Sequence, residues 1–295
     1  MSNIVFPSGV TWSVRYATGG DFLNSDIKIE GGSLYRYTKN RIIDIKGDIS
    51  DVTQPTYMFE NCSTAFVKNI PVLNIDRSSH MFNGAQKLLV APQLDLTYAT
   101  AAVYMFQNCY ALRYIPPFEA PLITSADSMF AGCSGLTNVP VTDLRKCTTI
   151  TKLFADCYLL DSIPDMNLSS ATSFGSSYNN WLYGASSVRS IGVIDCDSIT
   201  NIEYVFGNSI NYRIKHLGGF RNLGKKSSVS GTAGQYFLNY VPNLTRESLI
   251  NVFNELYDRA SAGLSVLTLK LHANHRAILS DEDKAIATNK GWTLS

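Results

Sequence analysis

Apolar residues recur along the middle of the chain with a period of about 24 residues. Each unit has a pair of apolar residues, a small residue three positions after the pair, and then a short segment of the form L-x-x-I-P. A unit of this size cannot bury its own apolar face, so the pattern predicts coils that stack and shield one another. The pairs are Met58-Phe59, Met81-Phe82, Met105-Phe106, Met129-Phe130, Leu153-Phe154, Trp181-Leu182 and Val205-Phe206.

The L-x-x-I segments predict one short strand in each coil, at 112–115, 136–139 and 160–163 among others. Such strands would pair in parallel between coils at about 4.8 Å. The proline that follows each segment has no N–H to donate, so it stops the ladder from widening. The phenylalanine column is expected inside as a stack of rings, each stabilising the array by about 1.5–3 kcal/mol. The predicted fold class is therefore a β-rich repeat solenoid with one short strand per coil.

The two ends of the chain break this repeat and predict caps. Residues 10–16 alternate apolar and polar side chains as a strand does, and Gly31-Gly32 lies between two strand-like runs as a hairpin turn. Open ends of a repeat array expose apolar surface and strand edges, which caps cover. We therefore expect a β module over 1–50, which serves as a cap or an attachment region, a repeat array over 51–244 and an α/β cap over 245–295.

The last segment carries clear helix signals. Thr245 is a capping residue for a helix predicted to run through Arg259, and residues 264–271 alternate as a strand. Ser280 precedes three acidic residues, which the helix dipole favours in a first turn. Gly291 is the predicted end of this second helix.

Most cysteines share one column of the repeat, and the chain has no C-x-x-C pair. A disulfide framework or a metal site would need thiol chemistry at this position. Other coils place alanine or serine there, which favours small buried thiols instead. The column holds Cys62, Ala85, Cys109, Cys133, Cys157, Ala185 and Ser209, whereas Cys147 and Cys196 lie off it.

A second column of acidic and amide residues follows the prolines. Stacking would bring these side chains to about 5 Å from one another, where like charges are destabilising. Turns in which each side chain accepts a hydrogen bond from nearby backbone N–H groups are the favoured interpretation, and a bound divalent cation is the alternative. The column consists of Asn74, Asp95, Glu119, Asp143, Asn167 and Asp195.

The overall charge and hydropathy exclude several classes of protein. Basic and acidic residues number 25 and 24, so the chain lacks the basic excess of a nucleic-acid-binding protein. No apolar run is long enough to span a membrane, and the first residues lack the pattern of a secretory signal. The sequence thus predicts a soluble chain made without standard export.

The sequence contains partial matches to catalytic motifs, but residues that these motifs require are missing. Gly219 to Lys225 matches a phosphate loop, but Lys226 stands where that loop needs serine or threonine. His272 and His275 have no glutamate between them as in a zinc protease, and no G-x-S-x-G is present. We therefore expect a protein that is not an enzyme and has no cofactor. One basic cluster is interpreted as a solvated edge or, alternatively, as a contact for an anionic ligand: Arg213, Lys215, His216, Arg221, Lys225 and Lys226.

The repeat resembles the BspA-type leucine-rich repeats of bacterial surface proteins, in the variety M-F-x-x-C-x-x-L. The clearest units are MFQNCYALRYIP at 105–116 and MFAGCSGLTNVPVTDL at 129–144, and the resemblance covers about 57–223. Trp181-Leu182, a four-residue insertion within 165–180 and Ser209 depart from the pattern. The C-terminal segment is similar to the ends of such proteins from gut bacteria and their phages. The resemblance implies a non-catalytic recognition or adhesion protein.

Two settings follow for such a protein. A chain that starts at Met1 without an export signal fits a phage virion component, such as a fibre, tail or head-decoration protein that touches the host surface. The alternative is a bacterial surface adhesin, and a phage scaffold protein without a host ligand is a third class. The expected partners are other virion proteins or a host surface protein or polysaccharide, and homo-oligomerisation stays open.

The predicted binding residues are the two variable positions inside each L-x-x-I segment. The flanking apolar residues must be buried, so at least one variable residue of each pair should project outward. Arg113 and Tyr114 are the foremost candidates, because arginine and tyrosine are frequent energetic anchors of interfaces. Asn138, Asp161 and Arg189 occupy matching positions in later coils. The alternative is that all of these are ordinary solvated positions of a spacer.

Overall fold

The computed structural model describes residues 59–61, 78–141, 143–176, 178–202, 204–206, 213–229 and 237–295. Before them it describes only the backbone pairing of four short strands, at 13–16, 29–30, 33–34 and 42–46. Several residues named above lie outside the described parts: Met58, Cys62, Asn74, Ser209 and the Gly31-Gly32 turn.

The N-terminal strands form two antiparallel pairs. In chain order they are β1 (Ser13–Tyr16), β2 (Ile29–Glu30), β3 (Ser33–Leu34) and β4 (Ile42–Lys46). β1 lies within the strand predicted over 10–16 and pairs with β4. β2 pairs with β3 so that Glu30 faces Ser33, which is the pairing that the predicted hairpin requires.

Backbone hydrogen bonds join successive coils at the Met-Phe position. The N–H of Phe106 donates to the carbonyl of Met129 at 2.8 Å, and Phe82 donates to Met105 at the same distance. The intervening N–H of Met105 instead donates within its own coil, to Ala102 at 3.2 Å. Alternate backbone donors therefore bond along the stack and close turns inside the coil. Backbone groups buried by the stacking are thus satisfied.

The predicted column of phenylalanine rings is confirmed from Phe59 to Phe154. All of these rings are fully buried, and neighbouring ring centroids lie 5.2, 5.0, 5.8 and 5.4 Å apart along the stack. The interplanar angles do not exceed 11°, so the rings are nearly parallel. Leu182 ends the stack. In that coil Phe174 fills the interior from another position and packs on Trp181 at 5.3 Å.

Among the described residues of the repeat, regular strands form only in the later coils, which corrects the prediction of one strand in every coil. Earlier coils make isolated parallel bridges, such as Val90 with Tyr114. The later strands are β5 (Ser162–Ile163), β6 (Met166–Asn167), β7 (Ser190–Asp195) and β8 (His216–Arg221). β7 lies between β8 on one side and both β5 and β6 on the other, all parallel.

Proline explains this difference between coils. Pro164 separates β5 from β6, because it has no N–H for the ladder. The matching positions of the two six-residue strands are Gly192 and Gly218. A Cβ atom on Gly192 would lie 2.3 Å from Asp165 Oδ1, and one on Gly218 would lie 2.7 Å from the Gly192 carbonyl carbon. Glycine therefore lets these longer strands approach closely.

The C-terminal segment packs against β8. Its elements are α1 (Arg246–Glu255), β9 (Leu267–Leu269), α2 (Ala273–Ile278), α3 (Asp281–Thr288) and β10 (Trp292–Leu294). Thr245 caps α1 and Ser280 caps α3, as predicted, and Gly291 has a φ of 80° just beyond α3. α1 ends before the predicted Arg259, and α2 was not predicted. β10 pairs in parallel with β9.

The early end of α1 brings Arg259 into the interior. The Arg259 side chain is fully buried, and its guanidinium donates to the carbonyls of Ser265, at 2.7 Å, Lys226, at 3.2 Å, and Gly224. Lys290 Nζ donates to the carbonyls of Phe253 and Leu256 at the end of α1, at 3.1 and 3.2 Å. In the part of the chain that the structure describes, no helix has the length and apolar character needed to cross a bilayer.

Candidate functional site

The variable positions of the L-x-x-I segments line up as two adjacent columns, which we call the strand face. Cross-coil hydrogen bonds fix their order: Arg113 N–H donates to Leu89 O at 2.9 Å, and Arg189 N–H donates to Asp161 O at 2.7 Å. The first column is Leu89, Arg113, Thr137, Asp161, Arg189 and Lys215, and the second is Val90, Tyr114, Asn138, Ser162, Ser190 and His216.

Arg113 and Tyr114 both project outward. The flanking Leu112 and Ile115 are fully buried, whereas Arg113 is exposed and Tyr114 retains 46% of its accessible surface. Asp161 and Arg189 are also exposed. These side chains are therefore available to a partner without any change in the core.

Asn138 differs from the other predicted binding residues because it is half-buried. Its amide Nδ2 donates to the Ile115 carbonyl of the preceding coil at 3.1 Å. Its Oδ1 is buried and has no hydrogen-bond partner among the described residues. The side chain is thus committed to holding two coils together.

The predicted residues form a strip that carries charged side chains at both ends. Arg113 and Tyr114 lie two coils before Asp161, and Asn138 lies between them. At the far end Arg189 Nε lies 3.2 Å from Asp161 Oδ1, with both side chains more than 60% exposed. An ion pair so exposed contributes about 0–1 kcal/mol to stability, so it leaves both groups open to exchange for a partner.

The basic cluster is partly neutralised by ion pairs. Arg221 contacts Asp195 at 2.9 Å and Glu255 at 3.1 Å, and Lys225 contacts Asp197 at 3.1 Å. Lys215 and His216 instead extend the two columns of the strand face and are exposed. The cluster is therefore divided between a junction with α1 and the end of the strand face.

Three residues of the acidic and amide column, Asp95, Asp143 and Asn167, make the predicted turns. Asp95 Oδ1 accepts the N–H of Thr97 at 2.9 Å, Asp143 Oδ1 accepts that of Arg145 at 3.1 Å, and Asn167 Oδ1 accepts that of Ser169 at 3.2 Å. The Arg145 guanidinium also binds Asp143 and holds the pKa of that carboxyl below its usual range. Within the described residues, no group of three or more histidine, cysteine or acidic side chains is placed to hold a metal ion.

Three of the column cysteines are buried thiols that form hydrogen bonds between coils. Cys109 Sγ donates to Phe82 O at 3.1 Å, and Cys133 and Cys157 donate to Phe106 O and Phe130 O at 3.1 and 3.2 Å. Burial raises the pKa of Cys133 and Cys157 well above the ordinary value. Ala85 and Ala185 are buried at the same position of the repeat and have no thiol to donate this hydrogen bond. These three thiols therefore have a structural role.

Three residues from the partial matches to catalytic motifs make structural contacts. Gly224, in the match to a phosphate loop, packs against Trp292 so closely that a Cβ atom would lie 2.4 Å from Cζ2 of that ring. His272 caps α2 by accepting the N–H of Asn274 at 3.2 Å. His275 is fully buried and its Nε2 lies 2.9 Å from the carbonyl of Val241.

A second exposed group of side chains was missed by the sequence reasoning. Tyr158, Leu159, Tyr178 and Tyr183 are 49%, 56%, 64% and 38% exposed. We call them the tyrosine cluster. The four-residue insertion shifts the register of this coil. An alignment of the coils on their buried residues corrects for the insertion and would have revealed the cluster.

Comparisons with known proteins found limited similarity. No protein-family model matches the chain, and no curated protein matches it significantly. The chain is similar to the crystal structure of a leucine-rich cell surface protein from Faecalibacterium prausnitzii A2-165, with 18% sequence identity and a TM-score of 0.30. The match covers 52% of this chain and 40% of that one. Hydrogen bonds and ring stacks between coils are the observations that support the repeat architecture.

Proposed function

We propose that the protein is a non-catalytic recognition protein whose strand face binds a partner at a bacterial surface. One observation carries this proposal: the side chains along the two outward columns change from coil to coil while the apolar residues beside them stay buried. Variation at these positions costs the fold little, so the columns are free to carry specificity.

The supporting frame is rigid enough for such a role. Thr137 donates to Arg113 O through both its backbone N–H, at 3.2 Å, and its hydroxyl, at 3.0 Å. A binding site on a rigid array loses little conformational entropy when the partner binds. Arg113 and Tyr114 would supply the main contacts, and Asp161, Arg189 and Lys215 would provide charges farther along the strip.

For the setting we propose a bacterial surface adhesin, with a surface protein or polysaccharide as its partner. The support is the resemblance of the M-F-x-x-C-x-x-L units to those of bacterial surface proteins. A virion component that contacts the host would use the same face, and its presence in purified phage particles is the observation that would select it. Mass spectrometry of purified particles, together with antibody labelling of intact bacterial cells, separates these settings.

The double variant Arg113→Ala/Tyr114→Ala tests the strand face. It should fold as the parent does, because both side chains are exposed, and its attachment to bacterial cells should fall by about tenfold or more. Flow cytometry with the fluorescently labelled protein measures the attachment. Lys87→Ala/Tyr98→Ala is a matched control, since it removes one exposed basic residue and one exposed tyrosine elsewhere. Equal attachment of the Arg113→Ala/Tyr114→Ala variant and the parent would exclude this face.

A further inference from the structure

The tyrosine cluster is not required by the repeat fold. The column of Tyr183 holds Asn83, Gln107, Ala131 and Ala155 in earlier coils, and the column of Tyr158 holds Gln86, Ser134 and Ser186 besides Tyr110. Polar or small side chains thus satisfy both positions. Two neighbouring coils nevertheless place tyrosine there, together with the exposed Leu159.

The cluster is brought together by adjacent coils. Asp156 N–H donates to the Tyr183 carbonyl at 2.7 Å, which sets the two segments side by side. Tyr158 donates its hydroxyl to Asp156 Oδ1 at 3.1 Å. The ring of Tyr178 meets that of Tyr183 edge to face, with a centroid distance of 6.5 Å. Three phenol rings and one carboxylate therefore share a small area of surface.

The inserted loop that carries Tyr178 has hydrogen bonds of its own. Trp181 N–H donates to Phe174 O at 2.8 Å and closes the base of the loop. Asn179 N–H donates to Ser176 O at 3.1 Å within the loop, and the buried Asn180 accepts the N–H of Leu182 at 3.1 Å. The most exposed ring of the cluster is thus presented by a loop with its own hydrogen bonds, and ordering it on binding costs little.

We propose that the tyrosine cluster is a binding site for a neutral saccharide. A sugar ring has an apolar face of C–H groups and a rim of hydroxyls, so it fits exposed aromatic rings that have hydrogen-bonding groups beside them. The phenol hydroxyls and the Asp156 carboxylate supply such groups here. The residues of this site differ from those of the strand face, and the proposal does not depend on that face.

The chemistry of the cluster selects a neutral saccharide over other partners. The carboxylate of Asp156 lies within the cluster and would repel an anionic polymer, whereas it accepts hydrogen bonds from sugar hydroxyls. The polar positions of Ser134 and Ser186 interrupt the apolar surface around Tyr158, so the cluster lacks the continuous apolar centre typical of a protein interface.

Affinity electrophoresis in native gels tests the site. The gels contain a soluble β-glucan, a soluble α-mannan, polygalacturonate as an anionic polymer, or no polysaccharide. We expect at least one neutral polymer to retard the parent protein, and Tyr178→Ala/Tyr183→Ala to weaken the apparent affinity by about tenfold or more. Tyr158→Phe, which keeps the ring and removes the hydroxyl, should weaken it by a smaller factor.

One control variant makes the result specific. Tyr98→Ala removes a tyrosine that is 59% exposed at another column. It should be retarded as the parent is. The proposal is overturned if neither neutral polymer retards the parent, if only polygalacturonate does, or if Tyr178→Ala/Tyr183→Ala is retarded as strongly as the parent.

Discussion

At the residue scale, each coil depends on a left-handed backbone position two residues after the phenylalanine column. Asn61, Gly84, Asn108, Gly132, Asp156 and Gly184 occupy it with φ values between 56° and 77°. Asparagine, aspartate and glycine are the residue types that adopt this conformation at least cost. The column is visible in the sequence, so this turn could have been predicted from the repeat alone.

A second left-handed column could not have been predicted in this way. It directly precedes the apolar pair and includes His80, Tyr104, Ser128 and Lys152, with φ values of 53–58°. Tyrosine, serine and lysine do not favour the conformation, and only the stacked structure explains it. The N–H of Tyr104 donates to Asp127 O in the next coil at 3.0 Å, which offsets the local strain.

The buried thiols give a prediction at this scale. Iodoacetamide at about pH 8 should leave Cys109, Cys133, Cys147, Cys157 and Cys196 unmodified in the native protein, because all five are buried and the thiolate is the reactive form. Burial raises the pKa of Cys147 to about 12 and that of Cys196 well above its ordinary value. Peptide mapping by mass spectrometry measures the labelling, and protein unfolded in guanidinium is the positive control. Rapid native labelling of Cys133 would contradict its place in the core.

At the element scale, the sequence predicts elements whose signals are local. Thr245 and Ser280 start helices because their side chains accept N–H groups of the first turn, at 3.2 Å from Ser248 N and Asp283 N. The end of α1 at Glu255 was not predictable, since it depends on Arg259 reaching carbonyls far away in the sequence. The strand lengths were predictable in part, because proline positions are visible whereas the close approach at Gly192 is not.

The same limit applies to the candidate site. Outward projection of Arg113 and Tyr114 follows from alternation with buried neighbours and could be predicted. The contact of Asn138 with Ile115 in the preceding coil depends on side-chain geometry, as does the pairing of Tyr178 with Tyr183 across an insertion. The period of the repeat predicts which column a residue occupies. Side-chain packing determines whether that residue is available to a partner.

His275, a buried residue of α2, should make the free energy of unfolding depend on pH. His275 Nε2–H donates to Val241 O, so the buried Nδ1 is unprotonated, and it has no hydrogen-bond partner among the described residues. Burial lowers the pKa of His275 from 6.5 to about 4, and the nearby His272 and Arg276 act in the same direction. The unfolded chain therefore takes up the proton first. Stability should fall by about 3 kcal/mol as the pH drops from 6.5 to about 4.

Urea unfolding at a series of pH values measures this effect. His275→Gln keeps an N–H donor for Val241 O but does not titrate, so it should lose this part of the pH dependence. His272→Gln, which changes the half-buried N-cap residue of α2, should keep most of it. An unchanged pH dependence in His275→Gln would show that another group is responsible.

At the scale of the whole molecule, the C-terminal segment is joined to the last coils by both backbone and side-chain contacts. Thr245 N–H donates to Lys215 O at 3.0 Å and Tyr257 N–H donates to Leu223 O at 3.1 Å. Arg221 bridges Asp195 of β7 and Glu255 of α1. These contacts cover the outer edge of β8 and protect it from pairing with another chain. The array and this segment should therefore unfold together at that end.

The ring stack should control the stability of the repeat array. Phe106 is fully buried between Phe82 and Phe130, so Phe106→Ala should lower the free energy of unfolding by about 3–5 kcal/mol. Phe106→Leu should cost less, since Leu182 occupies this column in a later coil. Tyr98→Ala, at an exposed position, should stay within about 0.5 kcal/mol of the parent.

Each coil contacts only its neighbours, so the loss in Phe106→Ala should be local at first. Amide hydrogen exchange should show lower protection at Phe82 and Phe130, in the adjoining coils, while the amides of α1 keep theirs. Chemical unfolding gives the total change and hydrogen exchange gives its distribution. A Phe106→Ala protein as stable as Tyr98→Ala would show that the rings do not support the stack. A uniform loss of protection that included α1 would show that the array unfolds as one unit.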